Sequence, residues 1–510
     1  MISTLRLGAL TDIASGDCWD PVQIRQQVEL RVQRLSAMSI QRGDRVLIHF
    51  GNKLDFFVEL LAVWQLGGCV VPVDARLTPR EVLALARASD ARFSVYDDST
   101  SPQTLEDLSD IRLVHTRDNG CNSHGLKSSS TGSFDLDDDA LILFTSGSTG
   151  EPKGVVHTHR SLQARWTGLQ QALGLSDFRK TLCLLPTHFG HGLICNCLFP
   201  WLYGNHLHVA PPFKTELLAG LGSIIDEHEI TFMSSVPAMW NVSLRMAAQP
   251  KSSQLRRIHI GSAPLGADAW RSVQEWSGTE AVSNTYGITE TGSWVAGYAG
   301  GNPDPEDGLI GTPWGAQIAV MHATTIEELG EDPRECDANE AGMIWLSTPA
   351  LMREYFNRRE LTDSVTHQGW FLTGDLGRID DRGMLYIHGR ARDEINKGGT
   401  KISPASIDLL VSQHETVADV CTFAIDDPMY GENVAVAMSL TDDNEASIAT
   451  LHQWVTQNLA EFKLPARWYV LDEVPRTSRG KVNREQVRDH CKTVEPINLR
   501  TILRNQASKV

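Results

Sequence analysis

Residues 141–159 read LILFTSGSTGEPKGVVHTH, and the fold turns on them. Leu141 to Phe144 is an apolar run of buried-strand length. It stops at Thr145-Ser146-Gly147-Ser148-Thr149-Gly150, a composition that neither helix nor strand favours. Two glycines and four hydroxyls make a loop of little bulk, with exposed backbone N–H groups and several O–H donors. Oriented amides of that kind form an anion-binding concavity suited to phosphate oxygens. Lys153 adds a mobile cation, and a second apolar stretch opens at Val155. A Ser/Gly-rich surface turn has a similar composition, but the flanking apolar runs and the lysine favour phosphate binding. The P-loop of NTPases is excluded. That pattern puts Gly-Lys-Ser/Thr four residues after its first glycine, whereas here Pro152 holds that place and Lys153 precedes Gly154. No GxGxxG occurs in the stretch.

At 510 residues the chain exceeds one ordinary core, so two or more domains are expected. Apolar content of 41% with 21% charged residues is that of a soluble globular protein. A formal charge of −17 argues against a nucleic-acid partner. The opening MISTLRLGALTDIASGD lacks a signal-peptide core, and no apolar run is long enough to span a membrane. A cytoplasmic enzyme is expected. Nine cysteines are scattered without a CxxC pair, which predicts buried reduced thiols.

Residues 20–118 alternate strand-like and helical patterns: VLIHF, a helix over 54–67, CVVPVD, then a helix from Pro79 to Ala88. This βαβ rhythm predicts a mostly parallel sheet. Residues 116–136 read as a polar connector. In 186–193, PTHFGHGL, two histidines stand three apart, but no third metal ligand is near and Gly190 and Gly192 predict a loop. A strand is expected over Thr231 to Ser235, with a helix from Pro237. Another strand ends at Gly261-Ser262-Ala263-Pro264. Residues 282–294, VSNTYGITETGSW, place an aromatic plate (Tyr286), a hydroxyl (Thr289) and a carboxylate (Glu290) in close succession. A planar base suits the first, and a metal held on phosphates suits the last. Residues 305–350 predict short strands around an acidic hairpin. Thr373-Gly374-Asp375 sets a lone carboxylate after an apolar strand, Asp380 to Gly383 is a hairpin turn, and Gly389-Arg390 closes the next strand. The polar 391–394 marks a domain boundary. Beyond it come a helix over 404–413, strands over 417–425 and 433–440, and a helix over 446–460. Lys481 lies in a basic turn, and 486–510 shows no strong apolar period.

Together these segments resemble, in order, the motifs of the adenylate-forming (ANL) superfamily of acyl-CoA synthetases, luciferases and peptide-synthetase adenylation domains. The resemblance implies an α/β multidomain fold. A large N-terminal domain, 1–391, would hold two doubly wound βαβ subdomains plus a small β-barrel. A small mobile α+β C-terminal domain, 392–510, would hinge at Arg392. It implies that Thr145, Ser146, Gly147, Ser148, Thr149, Gly150 and Lys153 hold the β- and γ-phosphates of ATP. Glu290 would bind Mg²⁺ and Thr289 would touch the α-phosphate. Tyr286 would stack on adenine, edged by Ser262, Ala263 and Pro264. Asp375, helped by Arg390, would grip the ribose. Lys481 would be the catalytic lysine. Gly398 and Gly399 would line the way for the pantetheine arm. His188, Phe189, Val236, Trp240 and Trp294 would line the acyl pocket. Two departures stand out: Phe189 where many acyl-CoA synthetases carry histidine, and Ser406 where the family usually carries glutamate.

The reaction implied joins a carboxylic acid, ATP and a thiol to give an acyl thioester, AMP and pyrophosphate. No Ser-His-Asp or Cys-His signature accompanies the motifs, which fits, because adenylation needs no enzyme nucleophile. CoA is the expected thiol. The alternative acceptor is the phosphopantetheine of an acyl carrier protein acting in trans. The pocket segments Pro186 to Leu193, Ser234 to Trp240 and Gly261 to Leu265 contain no acidic residue. A buried α-ammonium would need one, so an acid without an α-amino group, aryl or medium-length aliphatic, is expected. The sequence gives no oligomeric state.

Overall fold

The structure is a computed structural model. It describes all residues except 1–5, 118–134, 146–151, 212–213, 264, 302–303, 323–324, 327–333, 391–394, 403, 442–443, 476–483, 500, 503 and 505–510, and it leaves aside the side chains of 241, 389, 390, 405 and 409. Two compact units make up the chain: Met1–Ala75, Leu85–Phe144 and Gly154–Ala391 form one, and Arg76–Ala84, Thr145–Lys153 and Arg392–Val510 the other.

The βαβ rhythm of the first hundred residues does build a parallel sheet. Arg45–Ile48 pairs in parallel with Cys69–Pro72 and Phe93–Tyr96; Arg112–His115 and Asp139–Thr145 extend the sheet on either side. The helix Leu54–Gln65 is apolar nearly all round and almost wholly buried, as a helix packed on more than one side must be. Trp64 Nε1 donates to Ala140 O at 2.7 Å, and the Phe57 ring meets Trp201 edge-on at 5.5 Å. Glu59, the one charged residue on its buried face, is paired with Arg34 and Arg31. Gly67, at φ +75°, takes the chain out of the helix.

A second sheet sets six strands side by side, all parallel to their neighbours: Leu10–Asp12, His206–Val209, Lys180–Cys183, Phe232–Ser235, Arg257–Gly261 and Val282–Ile288. It then turns antiparallel through Ser293–Gly297 and continues by way of Leu309–Pro313, Leu385–Arg390, Trp370–Ile379 and Gly342–Ser347 to Gln317–Met321. The strands expected over 305–350 as a small β-barrel are thus the far end of this same sheet.

One local expectation is overturned. His191–Leu198 is a π-helix, not a loop, and runs into the helix Phe199–Leu202. Gly192 marks close packing: a Cβ there would stand 2.2 Å from Pro186 O.

In the other unit, Gly431–Leu440 pairs with Val417–Asp427 antiparallel and with Arg467–Val470 parallel, and the hairpin Ile395–Lys397/Thr400–Ile402 is added at one side. Its helices are Pro404–Val411, Glu445–Asn458 and Arg484–Cys491. The last lies partly in the stretch read as lacking an apolar period. It buries only Val487 and Cys491, a pair four apart and too short a pattern to register as periodic. No described helix is long and apolar enough to cross a membrane. Every described cysteine is free.

Candidate active site

In open α/β sheets ligands bind beyond the carboxyl ends of the strands, and on the second sheet Tyr286, Thr289 and Glu290 stand at such an end. Val282–Ile288 carries Tyr286 and passes into the tight turn Thr289–Thr291. Gly287 is required by the hairpin, because a Cβ there would lie 2.0 Å from Ser293 O. Tyr286 Oη donates to Asp375 Oδ2 at 2.6 Å, and both residues are buried. Asp375 sits within the strand Trp370–Ile379 and not after one, opposite Arg390 in the register. Thr373 Oγ1 accepts from the Asp375 N–H at 3.0 Å and donates to Ile344 O at 2.7 Å, which fixes the carboxylate's backbone.

The turn that carries Glu290 is clamped by three residues that sequence reasoning missed. His157 Nε2 donates to Thr289 O at 2.8 Å, with Ser161 Oγ 3.1 Å from the other ring nitrogen. Burial pushes the His157 pKa down to about 4, so the ring is neutral and the donor tautomer holds. Arg165 donates from Nε (3.1 Å) and Nη2 (3.0 Å) to Thr291 O, and from Nη1 to Trp314 O at 2.7 Å. Its pKa is lowered by burial to about 10, which leaves it a cation at neutral pH. Tyr355 Oη donates to Glu290 Oε1 at 2.6 Å. Among the described residues Glu290 forms no ion pair, so its second oxygen can ligate a hard cation such as Mg²⁺.

The pocket-floor residues divide. Phe189 and Trp294 both pack on the His191 ring, at 6.4 and 5.7 Å between centroids. His191 Nδ1 lies 2.8 Å from Ser262 Oγ and Nε2 2.6 Å from Ser234 Oγ, linking the segment expected at the adenine edge to the sheet. Burial drives the His191 pKa down to about 3. His188 Nε2 instead lies 3.2 Å from Asp74 Oδ2, so the two histidines have separate partners. Asn52 accepts from Thr187 N–H at 3.1 Å and donates to Leu185 O at 2.9 Å, which pins the approach to this segment. Val236 is buried at the start of the helix Pro237–Met246. Trp240 is turned to the helix layer, where Nε1 donates to Ser235 Oγ at 2.8 Å and the ring packs on Trp276 at 5.3 Å. Ser262 holds a left-handed φ of +64°, a conformation uncommon for a non-glycine residue and frequent at binding sites.

Thr145 ends one strand and Lys153 opens the next; Thr145 Oγ1 is buried with no partner among the described residues. Ser146, Gly147, Ser148, Thr149 and Gly150 lie outside the described residues, as do Pro264, Arg392 and Lys481; Arg390 is described in its backbone alone, and Ala263 lies at the described edge of its segment. Gly398 and Gly399 form the turn of their hairpin with φ +57° and +89°, values that only glycine adopts without strain.

Residues 23–356 match the profile of the family described as AMP-binding enzyme, and residues 406–481 that of the AMP-binding enzyme C-terminal domain. The chain is 30% identical over 497 residues to a malonate–CoA ligase of Arabidopsis thaliana, with 89% of this chain and 79% of the relative covered. It is 28% identical over 472 residues to a long-chain-fatty-acid–CoA ligase of Mycobacterium tuberculosis, covering 91% of each. Among solved structures, an o-succinylbenzoate CoA synthetase from Bacillus subtilis superposes with a TM-score of 0.83 at 23% identity, covering 97% of both chains.

Proposed function

The chain belongs to the AMP-binding enzyme family, and from that premise we propose that it is an acid–thiol ligase whose site is the constellation around Tyr286, Glu290 and Asp375. The reaction has two halves. A carboxylate oxygen attacks the α-phosphorus of ATP in line and pyrophosphate leaves. The CoA sulfur then attacks the acyl carbon and AMP leaves, giving acyl-CoA.

Adenylation requires positioning and charge stabilisation, not a protein nucleophile. The observation that carries the reading is the buried Tyr286–Asp375 pair beside the clamped Thr289–Thr291 turn. A flat ring for the base and a carboxylate for the ribose diol thus lie on one continuous sheet, with a carboxylate for a cation in the turn that joins two of its strands. We assign Tyr286 to adenine, with Ser262, Ala263 and Pro264 at its edge, and Asp375 with Arg390 to the ribose. Thr145 to Gly150 and Lys153 are assigned to the phosphates, and Thr289 to the α-phosphate. Glu290 would hold Mg²⁺, which supplies positive charge to the departing pyrophosphate. Lys481 is assigned to the charge that grows between carboxylate and phosphorus. Residues 1–391 form the adenylation core in this reading, and 392–510 the domain that hinges at Arg392 and presents Gly398 and Gly399 for thiol transfer. The pocket takes an acid without an α-ammonium, and the free thiols suit a cytoplasmic enzyme.

The test is a two-stage assay on the purified full chain. Pyrophosphate release should require ATP, a divalent cation and an acid, and thioester should form only when CoA is added. A chain that binds ATP but releases no pyrophosphate with any carboxylic acid would defeat the proposal.

A further inference from the structure

The chain carries 63 acidic residues, 17 histidines and nine cysteines. Among the described residues a single group of three such side chains brings its ligand atoms within 4.8 Å of one another: His322, Cys336 and Glu340. They stand at the root of the hairpin between the strands Gln317–Met321 and Gly342–Ser347, outside the motifs assigned above. The backbone sets the group up. Met321 bridges Glu335 in antiparallel register, the His322 N–H donates to Arg334 O at 3.2 Å, and the Cys336 N–H donates to Val320 O at 2.8 Å. His322 and Cys336 are therefore diagonal neighbours on one face of a two-stranded ribbon. Glu340 ends the turn that follows. Its N–H donates to Asp337 O at 3.0 Å, and its Oε2 accepts from the Asp337 N–H at 2.9 Å. Asn339, at φ +68°, pins that turn by donating its N–H to Ile379 O at 2.8 Å. Gly342 makes room for the thiol, since a Cβ there would lie 2.5 Å from Cys336 Sγ. His322 Nε2 is 3.5 Å from Glu340 Oε2, and the two side chains are 40% and 44% exposed, so an ion in solution can reach them. Cys336 is half-buried, whereas Cys69, Cys183, Cys195, Cys197, Cys421 and Cys491 are buried.

We propose that His322, Cys336 and Glu340 bind a divalent cation of borderline softness, Zn²⁺ in the first place, which clips the root of this hairpin together. Zn²⁺ takes a thiolate sulfur at about 2.3 Å and an imidazole nitrogen or carboxylate oxygen at about 2.0–2.2 Å. Two ligands of one tetrahedral ion then stand about 3.3–3.6 Å apart, and His322 and Glu340 already have that separation. No pair starts beyond 4.8 Å, so at most about 1.5 Å is left to close. The ion takes the place of the thiol proton, which passes to the buffer. Three protein ligands leave the fourth position to water. The Asp337 N–H holds the Glu340 carboxylate, as outer partners hold the ligands of metal sites. Thiolate and imidazole disfavour Mg²⁺ and Ca²⁺, which take oxygen ligands, so this group and Glu290 select different ions. The competing state is a surface His–Glu pair beside an inert thiol.

The experiment uses the purified full chain, stripped of metal with a chelator and kept reduced by a phosphine. It is titrated with Zn²⁺ by calorimetry and with Co²⁺ by absorption. One equivalent of Zn²⁺ should bind, and protons should be released as it does. The Co²⁺ form should show a thiolate-to-cobalt charge-transfer band in the near ultraviolet and the intense visible bands of a tetrahedral ion. Cys336→Ser should abolish the charge-transfer band. Cys336→Ser, His322→Gln and Glu340→Gln should each weaken Zn²⁺ binding at least about tenfold, the loss that even an outer partner of a metal ligand produces. Zn²⁺ should raise the melting temperature of the wild type and leave that of Cys336→Ser unchanged. These comparisons are read on variants whose metal-free melting temperature matches the wild type. No saturable Zn²⁺ binding by the wild type would overturn the inference in favour of the surface pair. A charge-transfer band that persists in Cys336→Ser would place the ion on other cysteines and overturn it as well. Wild-type affinity in either His322→Gln or Glu340→Gln would do the same.

Discussion

The Tyr286 hydroxyl donates to the Asp375 carboxylate at 2.6 Å across 89 residues of chain, and both side chains are buried. The ring assigned to the base is thereby locked by the carboxylate assigned to the ribose. Hydrogen bonds to charged acceptors are worth about 1.5–3 kcal/mol. Tyr286→Phe keeps the ring but frees Asp375, so it should raise the KM for ATP about tenfold with kcat little changed. Tyr286→Ala should be worse by at least a further factor of ten, and Asp375→Ala should match or exceed it. Initial rates over an ATP titration decide this; a Phe variant with the wild-type KM would separate the hydrogen bond from nucleotide binding.

His157 ties acid stability to the site. Its folded-state pKa is about 4 against an ordinary 6.5, and His191 is lower still, at about 3. Between those values the unfolded chain binds protons that the folded chain does not. Stability is therefore full above about pH 7 and falls as the pH drops through 6.5 towards 4, by at most about 1.4 kcal/mol per pH unit for each histidine. His157→Gln retains a donor for Thr289 O and removes one titrating group. Calorimetric melting temperatures from pH 7.5 to 5 should fall less steeply in this variant than in the wild type. Parallel slopes would show that His157 does not carry the linkage.

What the sequence made legible follows from where the chemistry sits. Tyr286, Thr289 and Glu290 fall within five consecutive residues, so their types and order are visible before any fold is known. The clamps on the same turn are not. Arg165 reaches Thr291 from 126 residues away, His157 reaches Thr289 from 132, and Tyr355 reaches Glu290 from 65. Nothing local distinguishes such residues from ordinary buried ones, although His157 lies on the strand that opens at Lys153. Gly190 and Gly192 misled for the opposite reason: they were read as conformational freedom, and Gly192 is there for its missing side chain. The resemblance puts Trp240 at the pocket wall, but its ring packs on Trp276, and either side of a buried helix looks alike in sequence. The parallel sheets were legible because βαβ alternation is a long-period signal. The continuity of the second sheet into its antiparallel end depends on pairings between distant strands.

Lys481 is expected to act in one half-reaction alone. Its charge is needed while negative charge accumulates between carboxylate and α-phosphorus, and removing one such group typically lowers the rate on the order of 10²–10³-fold. Lys481→Ala should therefore lose acyl-adenylate formation by about that factor, while thioester synthesis from preformed acyl-AMP stays near wild type. Each half-reaction is measured separately, the first by pyrophosphate release and the second by loss of free thiol. Equal loss in both would remove the lysine from the role assigned to it.

The last expectation concerns what the pocket refuses. An α-amino acid brings an ammonium beside the reacting carboxylate, and burying that cation unpaired is costly. The segments Pro186 to Leu193, Ser234 to Trp240 and Gly261 to Leu265 offer no carboxylate. The fold brings Asp74 near the first of them, with its Oδ2 3.2 Å from His188 Nε2, and Asp307 to the end of the last, where it accepts from the Ala267 N–H. Glu290 is the only other carboxylate in the neighbouring motif, and it receives the Tyr355 hydroxyl and is assigned to the metal. Free α-amino acids should thus be turned over at least about a hundredfold more slowly than the same acids without the amino group, a gap set by one unpaired buried charge. Asp74→Asn should leave that ratio unchanged if its carboxylate serves His188 alone. The comparison is run as paired pyrophosphate-exchange rates, each amino acid against its desamino counterpart. Comparable rates within a pair would mean that a carboxylate outside these segments receives the ammonium. A ratio that rises only in Asp74→Asn would identify Asp74 as that carboxylate.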